Sequence, residues 1–165
     1  MKYLRAVEPE DLELMYLLEN DPEVVAHSIA SVPLSRYALR QYIEESRGDL
    51  YSDGQVRLTI MDPDGGQGCG FLDLTDFVPR HRRAQVGIVL LPEAQGRGIA
   101  THALLEVGEY ARLQGLHQLY AVVTSLNRKA RALFLRANYK ETATLPSWVL
   151  CSGKYMDAIL FQNTL

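Results

Sequence analysis

A chain of 165 residues has the length of one domain and is long enough to bury a real core. Its formal net charge of −3 argues against a nucleic-acid binder that works by bulk positive charge. Two cysteines, Cys69 and Cys151, with no C-x-x-C pair or histidine cluster, point away from a disulfide framework and from a metal, while Met1–Arg5 lacks a signal-peptide core and no apolar run reaches the length of a membrane span, so the expectation is a cytoplasmic protein.

The first strand is expected over Lys2–Val7. Glu8-Pro9-Glu10-Asp11 then opens a helix, with proline early, acids in the first turn and apolar Leu12, Met15, Leu17 and Leu18 behind. Asn20–Glu23 breaks it, a short helical turn runs to about Ala26, and His27–Pro33 is irregular. Ser35 reads as the N-cap of a second helix to about Ser46, with Tyr42 and Ile43 inward. Gln55–Met61 and Cys69–Phe77 alternate as strands around the turn Asp62-Pro63-Asp64-Gly65-Gly66, which makes them an antiparallel hairpin. A basic loop, Val78–Arg83, leads to a strand over Ala84–Leu91.

Gln95-Gly96-Arg97-Gly98-Ile99-Ala100 then forms a glycine-rich turn between that strand and an amphipathic helix. Ile99, Ala103, Val107 and Ala111 share one face of the helix, and Glu106, Glu109 and Arg112 face water. Helix N–H groups and the positive end of the helix dipole meet at this turn, an arrangement that favours phosphate. Gly115 ends the helix, and Leu119–Val123 is a strand parallel to its predecessor through a right-handed crossover. Asn127 caps a further helix with Ala130, Leu133, Phe134 and Ala137 on one face. Tyr139–Leu145 and Trp148–Leu150 read as strands, Ser152-Gly153-Lys154 as a turn and Tyr155–Phe161 as the last strand. With no internal repeat or linker, residues 1–165 are read as a single domain.

The form Gln-x-x-Gly-x-Ala at Gln95–Ala100, after a strand ending in Pro-Glu, resembles the acyl-coenzyme A signature of the GCN5-related N-acetyltransferases (GNAT superfamily). Asn127-x-x-Ala130, followed by Phe134 and Tyr139, resembles the second element of that family. His81–Ile88 is similar to the branch of spermidine and ribosomal-protein N-terminal acetyltransferases. The resemblance implies an α/β (α+β) fold, a mixed and strongly twisted sheet with helices on both faces.

The same resemblance implies acetyl-CoA as cosubstrate. Gln95, Gly96, Arg97, Gly98, Ile99, Ala100 and Thr101 would line its pyrophosphate, and the backbone of Val89, Leu90 and Leu91 would pair with its pantetheine arm. Leu90 would also polarise the thioester carbonyl. Asn127, Ala130, Arg131 and Phe134 complete the implied cofactor set, with Asn127 serving equally as a helix cap. Family members commonly carry tyrosine at position 134, where it protonates the departing thiolate. Phe134 keeps the ring without the hydroxyl, so a water or another hydroxyl, such as that of Ser125 or Tyr155, would have to donate that proton.

An amine acceptor must lose a proton before it attacks. Many relatives have glutamate where this chain has Gln85, which cannot serve as a base. Asp73 and Asp76 are the candidates for base or amine anchor, with His81 behind them, and an ordinary surface role for both acids stays open. Cys151 is read as a small buried thiol, so direct attack in a ternary complex is expected. Arg36 and Arg40 on the second helix set a polyamine behind a protein N-terminus or small-molecule amine as acceptor. The alternative is a degenerate domain that senses acyl-CoA without turnover. No nucleic acid, membrane or metal is expected, and self-association into a homo-oligomer is left open.

Overall fold

The computed structural model describes residues 1–25, 32–151 and 153–165. Among the described residues, seven strands form one sheet: β1 (Leu4–Ala6), β2 (Val56–Met61), β3 (Gly68–Val78), β4 (Arg83–Leu90), β5 (Gln118–Thr124), β6 (Lys140–Cys151) and β7 (Lys154–Thr164). Their spatial order is β1-β2-β3-β4-β5-β7-β6. Every neighbouring pair is antiparallel except β4 and β5, which are parallel because a helix, α5 (Ile99–Leu113), carries the chain back across the sheet.

Helices cover both faces, as expected. On one face α5 buries Ile99, Ala103, Leu104, Val107 and Ala111 against Leu72, Leu74, Val86 and Leu119. Helix α6 (Arg128–Arg136) adds Phe134 to that layer. On the other face α1 (Leu12–Glu19) and α3 (Arg36–Glu45) enclose a smaller core of Met15, Leu18, Leu39 and Phe71. Ser35 caps α3 as its sequence position predicts, its hydroxyl accepting from the Ala38 N–H at 3.1 Å.

Several boundaries differ from the sequence reading. The strand expected over Lys2–Val7 is confined to β1. Glu106, read as facing water, accepts hydrogen bonds from the Tyr3 and Leu4 N–H groups, at 3.0 and 3.3 Å, and so satisfies edge amides that no strand pairs. The short turn to Ala26 is α2 (Pro22–Val25); Ala26 and residues 27–31 of the irregular segment lie outside the described residues, as does Ser152 of the last turn. A further short helix, α4 (Leu50–Asp53), escaped the sequence reading; Asp49 caps its start, and Gly54 ends it with φ 70°. The basic loop contains a 3₁₀ turn over Pro79–His81. The two strands expected before Ser152 are one strand, β6, whose register slips between Leu145 and Val149 where Ser147 takes φ 51°.

Candidate functional site

Strands β4 and β5 run together for three pairs, Arg83 with Gln118, Ala84 with Leu119 and Gln85 with Tyr120, and then part. Beyond that point β4 stays in register with β3 as far as Leu90, and β5 stays with β7 as far as Thr124. A slot therefore opens between residues 86–90 and 121–124, edged on both sides by strand backbone without a ladder partner.

Strand alternation decides which groups face this slot. The Leu91 N–H donates to the Cys69 carbonyl at 2.9 Å, and its own carbonyl accepts from Ala94 at 3.0 Å. The Val89 carbonyl lies against β3: a Cβ added to Gly70 would come within 2.2 Å of it, so only glycine fits there. By alternation the backbone groups of Ile88 and Leu90 face the slot. The Leu90 carbonyl accepts from Gln95 Nε2 at 3.3 Å, and the Leu90 N–H faces the slot. Of the three strand residues named from sequence, Leu90 alone offers its backbone, because Val89 and Leu91 alternate onto β3.

At the end of β4 a 3₁₀ turn, Pro92–Ala94, leads into Gly96 at φ 76° and Gly98 at φ 80°. Both glycines adopt the left-handed conformation that a side chain would strain. Gly98 is the N-cap of α5, and no side chain caps it among the described residues. The first intrahelical bond runs from the His102 N–H to the Gly98 carbonyl at 3.1 Å, so the N–H groups of Ile99, Ala100 and Thr101 have no helical partner. They point, with the helix dipole, at a place fit for a pyrophosphate. The side chain of Arg97 does not join them. Its guanidinium pairs with Asp62 at 2.7 Å and with Asp64 at 2.7 Å, tying the turn to the β2–β3 hairpin. The expectation that Arg97 lines a pyrophosphate through its N–H does not involve that side chain.

The second motif is partly committed to the fold. Asn127 Oδ1 accepts the Ala130 N–H at 3.0 Å as the cap of α6. Arg131 pairs with Glu141 at 2.9 Å and donates to the Ser125 carbonyl at 3.3 Å, so it is not a free cation for phosphate. Phe134 is buried, with its ring centroid 5.1 Å from that of Tyr139 and 5.7 Å from that of Phe161, and it acts in the core. The Tyr139 hydroxyl is buried and has no hydrogen-bond partner among the described residues, and burial pushes its pKa up. Tyr155 pairs with Leu150 on the β6–β7 arm and is 69% exposed. It lies three residues past Ala158, the last β7 residue paired with β5, or about 10 Å by strand rise, so the arm carries it beyond the slot.

The part of the sheet that α1 and α3 leave partly uncovered on their side, the open face, holds the predicted acids. Asp73 is the register partner of Gly87 on β4 and of Arg57 on β2. Both its oxygens accept from Arg57, at 2.6 and 2.8 Å, and the same guanidinium reaches Glu19 on α1 at 2.6 Å. These three charged groups line a cavity of about 300 Å³ with Leu39, Tyr42 and Thr75. Two carboxylates against one guanidinium leave the cavity one net negative charge. Gly87, with open space where a side chain would sit, leaves the way clear toward β4. Asp76 accepts a hydrogen bond from the Tyr120 hydroxyl across the sheet. Burial first, then that bond and the carboxylate's charge, push the Tyr120 phenol up to about 12.

His81 is exposed on its 3₁₀ turn. Cys151 is half-buried rather than buried, and burial pushes the Cys69 thiol up to about 11. Sequence reading missed Glu19, Arg57 and Tyr120. Arg57 carried a usable signal, a charge between the apolar residues Val56 and Leu58, on the same face as Asp73 once the hairpin is paired through its turn.

A family model described as an acetyltransferase (GNAT) domain matches residues 3–140. The spermidine N(1)-acetyltransferase of Escherichia coli (strain K12) is 29% identical over 168 residues, covering 97% of this chain and 86% of that protein. The enzyme of the same description from Vibrio cholerae serotype O1 is 25% identical over 155 residues, covering 93% of this chain and 87% of its own. Among solved structures, the spermidine N-acetyltransferase from Vibrio cholerae in complex with CoA and spermine shares the fold at a TM-score of 0.85, with 23% identity and 98% and 94% of the two chains covered. A dodecameric structure of the Vibrio cholerae enzyme follows at 0.80, with 24% identity and 98% and 92% covered. The chain belongs to the acetyltransferase (GNAT) domain family and is an acetyl-CoA-dependent N-acetyltransferase.

Proposed function

We propose that the acceptor is a small linear amine of the polyamine class, with one ammonium held at the Glu19–Arg57–Asp73 cavity and a second nitrogen presented to the slot. The observation that carries this reading is the net negative charge of a cavity at the lower end of ligand-pocket size, one that suits a compact cation better than a folded partner. Asp73 pairs with Gly87, and Leu90 lies three residues further along β4, about 10 Å by strand rise, a gap that a short carbon chain spans. The relatives named as spermidine acetyltransferases support the same class. They raise the polyamine above the protein N-terminus that the arginines of α3 favoured; Arg36 is in any case paired with Glu13 at 2.8 Å.

In this reading acetyl-CoA supplies the acetyl group on a thioester. Gly98 to Thr101 hold its phosphates, and the Leu90 N–H steadies the negative charge that develops on the carbonyl oxygen during attack. The test is steady-state acetylation of spermidine, a diamine, a monoamine of equal length and a dipeptide. The expected kcat/KM is at least tenfold higher for the diamine and spermidine than for the monoamine. A dipeptide or monoamine as the best acceptor would overturn the reading. We infer self-association as well, because Trp148, Leu150 and Tyr155 are 61%, 57% and 69% exposed on the β6–β7 arm and the Vibrio cholerae structural relative is dodecameric. Light scattering that finds a monomer at micromolar concentration would refute it.

A further inference from the structure

An acceptor ammonium has a pKa near ~10.4, so only about one molecule in 10³ is free amine at pH 7, and a proton must leave before attack. The groups on the open face differ in their ability to take it. Both Asp73 oxygens and one Glu19 oxygen are engaged by Arg57. Gln85 is a neutral amide and takes up no proton at this pH. Asp76 is exposed, and no salt bridge involves it among the described residues.

The placement of Asp76 is unusual. Thr75, Gln85 and Tyr120 are register partners across β3, β4 and β5, so their side chains stand in one row on one face. Asp76 follows Thr75 where the β3–β4 ladder slips, and it holds a left-handed φ of 48°. On a regular strand it would point to the opposite face. The left-handed kink, costly for a residue with a side chain, instead turns its carboxylate toward this row, where the Tyr120 side chain, rooted two strands or about 10 Å away, reaches back over β4 to meet it. The Asp76–Tyr120 bond thus crosses the sheet at the level of Gln85, where the slot begins.

Resting on the reading of the acceptor as an amine on this face, we propose that Tyr120 and Asp76 are positioning residues that form the exit route for its proton. A proton passes from the ammonium nitrogen, through a chain of water molecules along the slot, to Tyr120 Oη as the Tyr120 O–H proton passes to the Asp76 carboxylate. Asp76 then releases its proton to solvent. The neutral nitrogen forms its bond to the acetyl carbon, the carbon–sulfur bond breaks, and the thiolate takes the nitrogen's surplus proton, so each turnover releases one proton. A phenol that stays protonated relays the proton without holding a charge. The charged groups facing Tyr120 are Asp76 and the opposing Arg83, and its β7 partner, Gln162, is neutral.

The experiment compares wild type with Asp76→Asn and Tyr120→Phe on spermidine at saturating acetyl-CoA, from pH 6 to 10. Asparagine tolerates the left-handed conformation, which protects the fold. Each variant should lose at least tenfold in kcat/KM at pH 7, and the double variant should be no worse than either single one. The defect should shrink toward pH 10 as the amine loses its proton unaided, with acetyl-CoA affinity unchanged. Adding Gln85→Glu to Asp76→Asn should restore rate at pH 7 by placing a carboxylate in the same row. Wild-type pH profiles in both single variants overturn the relay. So does a defect uniform in pH that Gln85→Glu leaves unrescued, which marks a structural bond. A wild type that acetylates no amine at any pH overturns the functional reading and the relay together.

Discussion

Arg57 grips Asp73 by two hydrogen bonds, 2.6 and 2.8 Å, and so acts as a cation built into the pocket where an ammonium is expected to bind. Burial works against that charge, but the bonds it donates to Asp73, with the charges of Asp73 and Glu19, outweigh it and raise the guanidinium pKa further. The side chains of Arg57, Glu19 and Asp73 are 17%, 18% and 24% exposed, so removing the guanidinium leaves two poorly solvated carboxylates. Arg57→Met should cost ~2 kcal/mol of stability. Spermidine should raise the thermal midpoint of Arg57→Met more than that of wild type, since it replaces the lost cation. A thermal-shift titration checks this; equal shifts in both proteins would count against the pocket as the ammonium site.

Asp73→Asn tests the anchor from the other side. The spermidine KM should rise at least tenfold, ~1.4 kcal/mol, while acetyl-CoA affinity holds, because Asp73 lies in the open-face cavity and the phosphates belong at the start of α5. Unchanged KM across amines would return Asp73 to a purely structural ion pair.

Gly98→Val addresses the other half of the reaction. At φ 80° a branched residue is strained, and its side chain would crowd the uncapped N–H groups of α5. Acetyl-CoA affinity should drop at least tenfold by calorimetry. Retained affinity in a folded variant would remove the glycine turn from the phosphate site.

Tyr139→Phe removes a hydroxyl that is buried without a partner among the described residues. Leaving such a group unsatisfied costs about 1–3 kcal/mol, so the variant should be at least as stable as wild type and by up to ~1 kcal/mol more so in urea unfolding. A loss beyond 1 kcal/mol would show that the hydroxyl has a partner in solution.

Asp11 sets an acid limit. Burial raises its pKa, but hydrogen bonds from Arg5, the Glu8 N–H and Thr59 outweigh burial and hold it below its ordinary 3.8. A carboxyl with a depressed folded pKa stabilises the protein fully above the unfolded value and loses that contribution as pH falls through the folded one. Asp11→Asn should therefore cost ~2 kcal/mol at pH 7, with the gap from wild type narrowing below about pH 4. Parallel acid-unfolding curves would contradict this account of Asp11.

Local signals carried most of the fold. Ser35 and Asn127 cap the helices that their positions predict, and the 3.6-residue spacing of Ile99, Ala103, Val107 and Ala111 is the buried stripe of α5. The strand, glycine turn and helix at Leu90–Thr101 and the family it indicates were legible for the same reason: each is a property of consecutive residues. Leu50–Asp53 was not legible, because a helix of one turn has no period to read.

The sequence by itself determined the order of elements, the caps, the glycine turn and the two acids of the open face. Tertiary structure alone decided what those residues can do. Pairing across strands is non-local, so only the folded sheet shows that β4 and β5 part after Gln85 and that alternation turns Leu90, not Val89 or Leu91, toward the slot. Side-chain partners are equally non-local. Asp73 is bound by Arg57 from 16 positions away, Arg97 is held by Asp62 from 35, and Asp76 meets Tyr120 across 44. Which charges remain available to a ligand is settled by these long-range pairings, and no window of consecutive residues contains them.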